Sequence, residues 1–314
     1  MNTAERQLLM AGQPGTGKTT FLALLWLAIL WGRAPGMELA DYQDDRSYLN
    51  RIADRLQACD PALHTEVGED RDLALSLLLG DGREPALLRI PDLSGETWRE
   101  ATLDRQWPAR IEQQVSDSRG LLLFLHGRDM DAGATIGEVN ELADSLAFDA
   151  VEGEADSGGD RGRDEVELPE SAVPAGVETP GGTQAAGARA PKRKHKPPTQ
   201  VALVDALQLI CEQRGPRRWR VALVISAWDL TQNGMTPEQF VAKNLPLLVQ
   251  YLNANEAWLE VRIFGLSAQG GDFKDPAARA ELEARDTVER AIVHGSDGAD
   301  LGVHEIAAWT LRCT

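Results

Sequence analysis

Hydrophobic and polar positions along this chain follow two periods, one typical of strands and one typical of helices. Short apolar runs recur, and stretches with helical spacing separate most of them. The run GLLLFL at Gly120–Leu125 is continuously apolar, as expected for a central parallel strand that is covered on both faces. This alternation predicts an α/β fold of three layers, with a mainly parallel central sheet and helices on both faces. The predicted strands are Gln7–Ala11, Asp72–Leu79, Ala86–Ile90, Gly120–Leu125, Arg218–Ser226 and Trp258–Gly265.

Helical signals fill most of the intervals. The apolar run Phe21–Trp31 is shorter than the roughly 20 residues that a bilayer span needs, so it predicts a buried helix. Thr236 followed by Pro237 is a helix start signal. Gly80-Asp81-Gly82 predicts a turn between the second and third strands. The predicted helices are Thr19–Trp31, one that begins within Leu39–Cys59, Trp98–Val115 with a kink at Pro108, Ile136–Leu146, Val201–Glu212, Pro237–Asn253 and Gly302–Arg312.

The composition changes abruptly between residues 149 and 200. This stretch is rich in Gly, Pro and Ala, and ten acidic residues against two arginines between Asp149 and Glu178 give a local net charge of −8. It buries too little apolar surface to offset its ordering entropy, so we expect a disordered insertion. We interpret the basic run Pro191–Pro198 as a solvated linker rather than a phosphate-binding patch. Residues 1–148 and 201–314 are expected to form one domain.

Charge and cysteine content narrow the class of protein. The chain has 314 residues, 43% of them hydrophobic, and its 32 basic and 49 acidic residues give a net charge of −17. Such a surface repels phosphate backbones, so nucleic acid is not the expected partner. Cys59, Cys211 and Cys313 show no paired spacing, which indicates a reducing compartment. The first residues lack the pattern of a signal peptide, so we expect a cytoplasmic protein without stable membrane insertion.

The strongest chemical signal is a glycine-rich sequence between the first strand and the first helix. Gly12-Gln13-Pro14-Gly15-Thr16-Gly17-Lys18-Thr19 matches G-x-x-x-x-G-K-S/T, the phosphate-binding P-loop, and Thr20 extends it into the helix. Its backbone N–H groups would surround a β-phosphate, Lys18 would reach the β- and γ-phosphates, and the Thr19 hydroxyl would ligate Mg²⁺. A chance match in a glycine-rich turn is the alternative, which the flanking strand and helix disfavour. The motif alone does not separate GTPases from ATPases or kinases.

A second signal follows the third predicted strand, at Asp92-Leu93-Ser94-Gly95. An acid at the carboxyl end of a parallel strand points toward the crevice in which α/β sheets bind ligands. Asp92 would therefore hold Mg²⁺ through water, and Gly95 would offer its backbone N–H to a γ-phosphate. The sequence D-x-x-G is also common in ordinary turns, so its weight comes from its position after the P-loop.

Two later strand ends carry the third and fourth signals. In Ser226-Ala227-Trp228-Asp229, the carboxylate of Asp229 would accept hydrogen bonds from the two donors on the guanine edge, which adenine does not present. At Ser267-Ala268, after the last predicted strand, a backbone N–H would meet the guanine oxygen. Each of these sequences is also an ordinary strand end. Their order along the chain is what favours a shared guanine-nucleotide site.

The four motifs in this order resemble the Ras-like GTPases of the translation-factor class. The chain is most similar to the single-chain relatives of the double-GTPase domains in bacterial conflict systems, over nearly its whole length apart from the insertion. The resemblance implies a GTP or GDP ligand with Mg²⁺, hydrolysis of GTP, and a molecular switch that effector proteins recognise. It also implies a place in a bacterial conflict or defence system.

The resemblance assigns further roles and marks departures. The family's guanine-binding motif is usually N/T-K-x-D, and here Ser226 and Ala227 replace its first two residues, which implies weaker or less selective base binding. Glu96 stands where many relatives have a glutamine that orients water, which implies slow hydrolysis. Thr65 is the expected switch threonine on Mg²⁺. Lys18, Glu96 and Thr65 are thus the catalytic candidates, and Thr19, Asp92 and Thr65 are the metal ligands.

Alternatives remain at this point. An ATP-using kinase or ATPase shares the P-loop, and a scaffold that holds nucleotide without hydrolysis is compatible with Glu96. A transferase acting on a small molecule is disfavoured, because no separate acceptor lid is apparent. His126 is interpreted as a satisfied strand-end histidine without a catalytic role. Tryptophans, including Trp26, Trp31, Trp219 and Trp258, are interpreted as core and interface anchors.

Overall fold

Eight strands form one sheet in the described part of the chain. The computed structural model describes residues 4–40, 46–60, 71–92, 105–106, 109–128, 197–215, 217–231 and 234–311. The strands are β1 (Ala4–Ala11), β2 (Met37–Leu39), β3 (Arg71–Leu79), β4 (Glu84–Asp92), β5 (Ser118–His126), β6 (Trp219–Ser226), β7 (Leu259–Ser267) and β8 (Ile292–His294). They lie in the order β2-β3-β4-β1-β5-β6-β7-β8. All six predicted strands are confirmed.

The centre of the sheet is parallel and its edges are antiparallel. Strands β4, β1, β5, β6 and β7 pair in parallel, whereas β2, β3 and β8 join antiparallel at the two sides. The predicted α/β fold with a mainly parallel sheet is therefore confirmed. The predicted turn at Gly80-Asp81-Gly82 joins β3 to β4 as an antiparallel hairpin. The edge strands β2 and β8 were not predicted, because three residues are too few to show the alternation of polar and apolar positions that indicates a strand.

The described helices correct several predicted boundaries. Pro237–Asn253 was predicted as one helix but forms two, because Pro246 has no N–H to donate and starts a new helix. The helix after the insertion begins at Thr199, so the last two residues of the predicted segment 149–200 are helical. The helices are α1 (Lys18–Leu30), α2 (Ser47–Gln57), α3 (Ala109–Asp117), α4 (Thr199–Arg214), α5 (Pro237–Asn244), α6 (Pro246–Ala254), α7 (Pro276–Glu283), α8 (Thr287–Arg290) and α9 (Val303–Leu311).

Two apolar clusters cover the two faces of the sheet. One contains side chains of α1, α2 and α9, and the other contains side chains of α3, α4, α5 and α6. Trp26 and Trp219 are buried as predicted, whereas Trp31 and Trp258 are 38% and 49% exposed and do not belong to the core. Helix α1 is apolar on all sides because the sheet, α2 and α9 surround it. The predicted three layers are confirmed.

Several predictions lie outside the described residues. These are the helix Ile136–Leu146, residues 98–104 and 107–108 of the predicted helix Trp98–Val115 with its kink at Pro108, residues 149–196 of the insertion, the switch residue Thr65 and the pair Gly95 and Glu96. The division into one domain and an insertion therefore stays a prediction. Of the helices that the structure describes, none combines the length and the apolar character that a bilayer crossing requires.

Candidate functional site

The P-loop lies where the sheet changes its direction of winding. It leaves the carboxyl end of β1, which pairs with β4 on one side and with β5 on the other. Connections that run to opposite sides of a central strand leave a crevice above its carboxyl end, and ligands of open α/β sheets bind there. The loop then enters α1 at Lys18. The first turn of this helix contains no acidic residue, so nothing within it offsets the positive end of the helix dipole.

The glycines of the loop are required by backbone conformation and by close packing. Gly12, Gly15 and Gly17 have φ values of 149°, 76° and 82°, which L side chains rarely adopt. A Cβ atom on Gly12 would lie 2.7 Å from the carbonyl oxygen of Phe124 in β5. A Cβ atom on Gly17 would lie 3.2 Å from Cβ of Ser226, at the end of β6. The loop therefore packs closely against the ends of β5 and β6.

Lys18 lies across its own loop. Its side chain is 7% exposed, and Nζ donates to the carbonyl oxygens of Gly12 at 2.8 Å and Gln13 at 3.1 Å. Thr16 also donates through Oγ1 to Gln13, at 2.8 Å. These bonds hold the ammonium group beside the turned backbone. An anion in the loop would offer it stronger hydrogen bonds than the carbonyls do, because donor and acceptor would then both be charged.

The end of β6 contacts the P-loop and then turns sharply. Ser226 is buried against Gly17, and its Oγ donates to the carbonyl oxygen of Leu125 at 3.3 Å. Ala227 follows in the left-handed region with φ 52°, and a short 3₁₀ helix, Trp228–Leu230, begins directly after it. This turn leaves Asp229 partly exposed. The structure thus brings the predicted phosphate loop and the strand end that carries the predicted guanine ligand into contact.

A buried tryptophan anchors this turn. Trp228 is 1% exposed, and a Cβ atom on Gly265 of β7 would lie 2.5 Å from its ring. The ring meets Phe240 edge-on, with the ring centroids 5.4 Å apart. Thr231 closes the turn by donating through Oγ1 to the carbonyl oxygen of Trp228 at 2.7 Å. The buried ring of Trp228 therefore anchors the residue that precedes Asp229.

The fourth predicted motif lies at the same edge of the sheet, with one correction. Ser267 is the last residue of β7 and is 2% exposed, but β7 is followed by an edge strand, β8, which pairs with it. The predicted strand end at Gly265 was therefore two residues short, and β7 was not the last strand. Ala268 packs against the apolar cluster under α1. Gln269, the next residue, lines the same cleft as Thr19 and Thr20, so the backbone after β7 passes close to the first turn of α1.

The structure describes two of the three predicted magnesium ligands, Thr19 and Asp92. In the register of β1 with β4, Arg89 is level with Gln7, which places Asp92 at the carboxyl edge beside the start of the P-loop. Thr19 lies in the first turn of α1. A hydroxyl and a carboxylate are oxygen donors of the kind that Mg²⁺ prefers, so these residue types fit the ion. Thr65, Gly95 and Glu96 lie outside the described residues, and their roles stay predictions.

His126 is the last residue of β5, as its sequence position predicts, and it has a hydrogen-bond partner. Its Nδ1 accepts a hydrogen bond from the backbone N–H of Arg128 at 3.2 Å, just beyond the end of β5. The next residue, Gly127, donates its N–H to the carbonyl oxygen of Ser226 at 2.9 Å. The second bond joins the end of β5 to the end of β6. The histidine therefore shapes a turn.

Sequence reasoning missed the side of the site formed by α2. A cleft opens between the first turn of α1, the end of α2 and the residue after Ala268. The helical spacing of Ile52 and Leu56 predicted that they are buried, but no motif marked this surface. The described residues that line the cleft are Thr19, Thr20, Ala23, Ile52, Leu56, Asp60 and Gln269.

Comparison with known proteins gives one family. The model of the family described as Double-GTPase 1 matches residues 9–304. No curated protein matches the chain. Among solved structures, the chain is similar to that described as the crystal structure of bacterial selenocysteine-specific elongation factor EF-Sec, with 11% sequence identity and a TM-score of 0.33. That match covers 90% of this chain and 30% of the other, and the likeness is too weak to inform function.

Proposed function

Since the chain belongs to the double-GTPase 1 family, we propose that it is a Mg²⁺-dependent guanine-nucleotide switch that hydrolyses GTP. The observation that carries this proposal is the contact between Gly17 of the P-loop and Ser226 at the end of β6. It holds the phosphate loop beside the turn that presents Asp229. A nucleotide whose phosphates lie in Gly12–Thr20 would have its base near this turn and near Ser267–Ala268.

In this proposal, Lys18 and the helix dipole hold the phosphates. Lys18 would exchange the carbonyl oxygens of Gly12 and Gln13 for phosphate oxygens, which share a negative charge. Thr19 and Asp92 would hold Mg²⁺, which would neutralise part of the phosphate charge. We assign Thr65 to the same ion and the N–H of Gly95 to the γ-phosphate. Loss of that phosphate would release both segments, and an effector protein of a bacterial conflict system would recognise the difference.

Base selectivity provides the first test. Replacing Asp229 by asparagine is expected to weaken GTP binding about tenfold or more, because the amide is uncharged and its NH₂ group would face one of the two guanine donors in place of an acceptor. ATP binding should not change. The measurement is calorimetric titration of GTP, GDP and ATP, with and without Mg²⁺. The control is Asp81→Asn, an exposed acid in the β3–β4 turn at the opposite edge of the sheet.

The titration, together with a single-turnover assay of GTP hydrolysis, separates the alternative functions. If the unchanged protein binds ATP as tightly as GTP, Asp229 is an ordinary strand-end residue and the protein is an ATP-using P-loop NTPase. If GTP binds tightly but no γ-phosphate is released over hours in a single-turnover assay, the protein holds nucleotide without hydrolysis, unless an activating protein supplies an arginine.

Hydrolysis itself is expected to be slow because Glu96 adds negative charge near the γ-phosphate. Replacing Glu96 by glutamine should raise the single-turnover rate about tenfold, which corresponds to about 1.4 kcal/mol of barrier. Release of labelled phosphate under single-turnover conditions measures this. Glu256→Gln, an exposed acid just before β7 and far along the strand from Ser267, is the control. A slower Glu96→Gln variant would instead mean that the carboxylate itself positions the attacking water.

A further inference from the structure

Three neighbouring strands begin level with one another at the amino edge of the sheet, the edge opposite to the P-loop. Gly120 of β5 pairs with Arg220 of β6, and Trp219 of β6 pairs with Leu259 of β7. Neighbouring strands lie about 4.8 Å apart, so the residues that lead into them share one surface. These residues are Arg119 at the start of β5, Arg214 at the end of α4, Arg217 and Arg218 before β6, and Trp258 before β7. We call these five residues the arginine surface.

The arginines of this surface lie close enough to repel one another. Arg214 donates through Nη1 to the carbonyl oxygen of Ser118, the residue before Arg119, and its guanidinium carbon lies 4.6 Å from the centre of the Trp219 ring. These contacts place Arg214 at the starts of β5 and β6. Burial and the positive charges of Arg217 and Arg119 lower the pKa of Arg214 to about 10. The guanidinium is still charged at neutral pH, so a negatively charged ligand would relieve the repulsion.

These positive charges are not neutralised within the described part of the chain. No carboxylate of a described residue lies within ion-pairing distance of Arg119, Arg214 or Arg217. Acids near these arginines, along the chain or on the neighbouring strand, have other partners: Asp117 with Gln113 at 2.9 Å, Glu212 with Arg105 at 3.8 Å and Glu260 with Arg220 at 3.1 Å. Arg218 lies 4.0 Å from Glu260, and its side chain is 61% exposed. The cluster is therefore a positive patch on a chain whose net charge is −17.

Two buried donors beneath the cluster have no acceptor. Nε1 of Trp219 and Nε of Arg214 are buried, and no described residue accepts a hydrogen bond from either of them. Buried polar groups in folded proteins are almost always hydrogen-bonded, and those that are not mark places where water or an ion binds. The stacked pair thus adds two unsatisfied donors to the cations beside it. Both features favour a ligand that brings anionic acceptor oxygens to this edge of the sheet.

The exposed tryptophan indicates which class of ligand fits. The carbonyl oxygen of Trp258 accepts a hydrogen bond from the N–H of Trp219 at 2.7 Å, and its side chain is 49% exposed. Exposed tryptophan beside arginine is the chemistry of protein–protein interfaces, and guanidinium groups bind carboxylates through paired hydrogen bonds. Nucleic acids and anionic membranes extend well beyond so small a patch and would meet the acidic remainder of the surface. We propose that the arginine surface binds a short acidic segment of a partner protein, whose carboxylates pair with Arg119 and Arg217.

This interaction is independent of the proposed nucleotide site. Strand β5 has nine residues, so roughly 30 Å of strand separates the arginine surface from the edge that carries the P-loop. A partner could therefore occupy the arginine surface whether or not a nucleotide is bound. Failure of either proposal leaves the other standing.

The test measures binding of a fluorescein-labelled hexaglutamate peptide to the full chain by fluorescence anisotropy. Hexaglutamate should bind at least tenfold more tightly than hexaglutamine, and added salt should weaken it because exposed charges are screened. The double variant Arg119→Gln/Arg217→Gln should bind hexaglutamate about tenfold more weakly and GTP as before. Its thermal unfolding should not shift, because both side chains are exposed. The matched control Arg51→Gln/Arg128→Gln removes two exposed arginines elsewhere and should keep hexaglutamate binding.

Five results would overturn the proposal. Equal binding of the two peptides would show that carboxylates are not recognised, and equal weakening by the two double variants would show that only net charge matters. Tighter binding of a thymidine hexanucleotide than of hexaglutamate would assign the surface to nucleic acid. Binding that appears only after the ten acids between Asp149 and Glu178 are changed to amides would mean that the chain's own acidic stretch occupies it. Dimers in sedimentation that Arg119→Gln/Arg217→Gln dissociates would identify a second copy of the chain as the occupant.

Discussion

Replacing Lys18 by alanine is expected to weaken the binding of GTP and GDP at least a hundredfold, equivalent to about 2.7 kcal/mol. The ammonium group is nearly buried and already lies beside the turned backbone, bonded to the carbonyl oxygens of Gly12 and Gln13. The charge is therefore already positioned for a phosphate in the loop, so the Lys18 side chain would lose little conformational entropy on binding. Calorimetric titration with and without Mg²⁺ measures the loss.

The effect on folding should be much smaller than the effect on binding. Removing the ammonium group leaves two loop carbonyls without this donor, which costs about 1 kcal/mol for a typical hydrogen bond. Lys243→Ala, an exposed lysine on α5, is the matched control and should change neither property. Binding that survives in a folded Lys18→Ala variant would show that the nucleotide does not lie in this loop.

Replacing Trp228 by alanine is expected to lower the free energy of unfolding by about 3–5 kcal/mol, the range for truncation of a buried aromatic side chain. The indole ring is 1% exposed and packs on the Cα of Gly265 and on the edge of Phe240. In a domain of this size, that decrease in the free energy of unfolding should lower the midpoint of thermal unfolding by roughly 10 °C. Trp258→Ala is the control, because that side chain is 49% exposed.

The same variant also tests what holds the turn Ser226–Asp229 in place. Because Trp228 precedes Asp229 in one short 3₁₀ helix, loss of the ring frees the turn, and the preference for GTP over ATP should fall as well. Titrations at a temperature where the variant is still folded measure this preference. An unstable variant with an intact preference for GTP would show that the P-loop contact of Ser226 alone positions Asp229. A shift no larger than that of Trp258→Ala would mean that the ring does not anchor the turn.

The sequence by itself determined the P-loop and the order of the elements around it. The motif Gly12–Thr19 is local: each glycine is needed for a backbone turn within a few residues, so its spacing is visible without a fold. The strand Gly120–Leu125 could be predicted equally well, because a strand that is covered on both faces of the sheet is apolar at nearly every position. The α/β class followed from these periodicities alone.

Only the tertiary structure decided which distant residues form one site. The contact of Gly17 with Ser226 and the placement of Asp60 beside Thr19 join segments that share no local pattern. Ser226 and Asp60 are ordinary polar residues at element ends, and neither position is constrained by helical or strand periodicity. The strand order decides which residues lie beside Ser226. The hydrogen bonds of Arg279 and Arg290, which join the end of α2 to the segment after β7, decide which residues lie beside Asp60. Periodicity records which face of an element is buried, whereas the partner across a cleft depends on how whole elements pack.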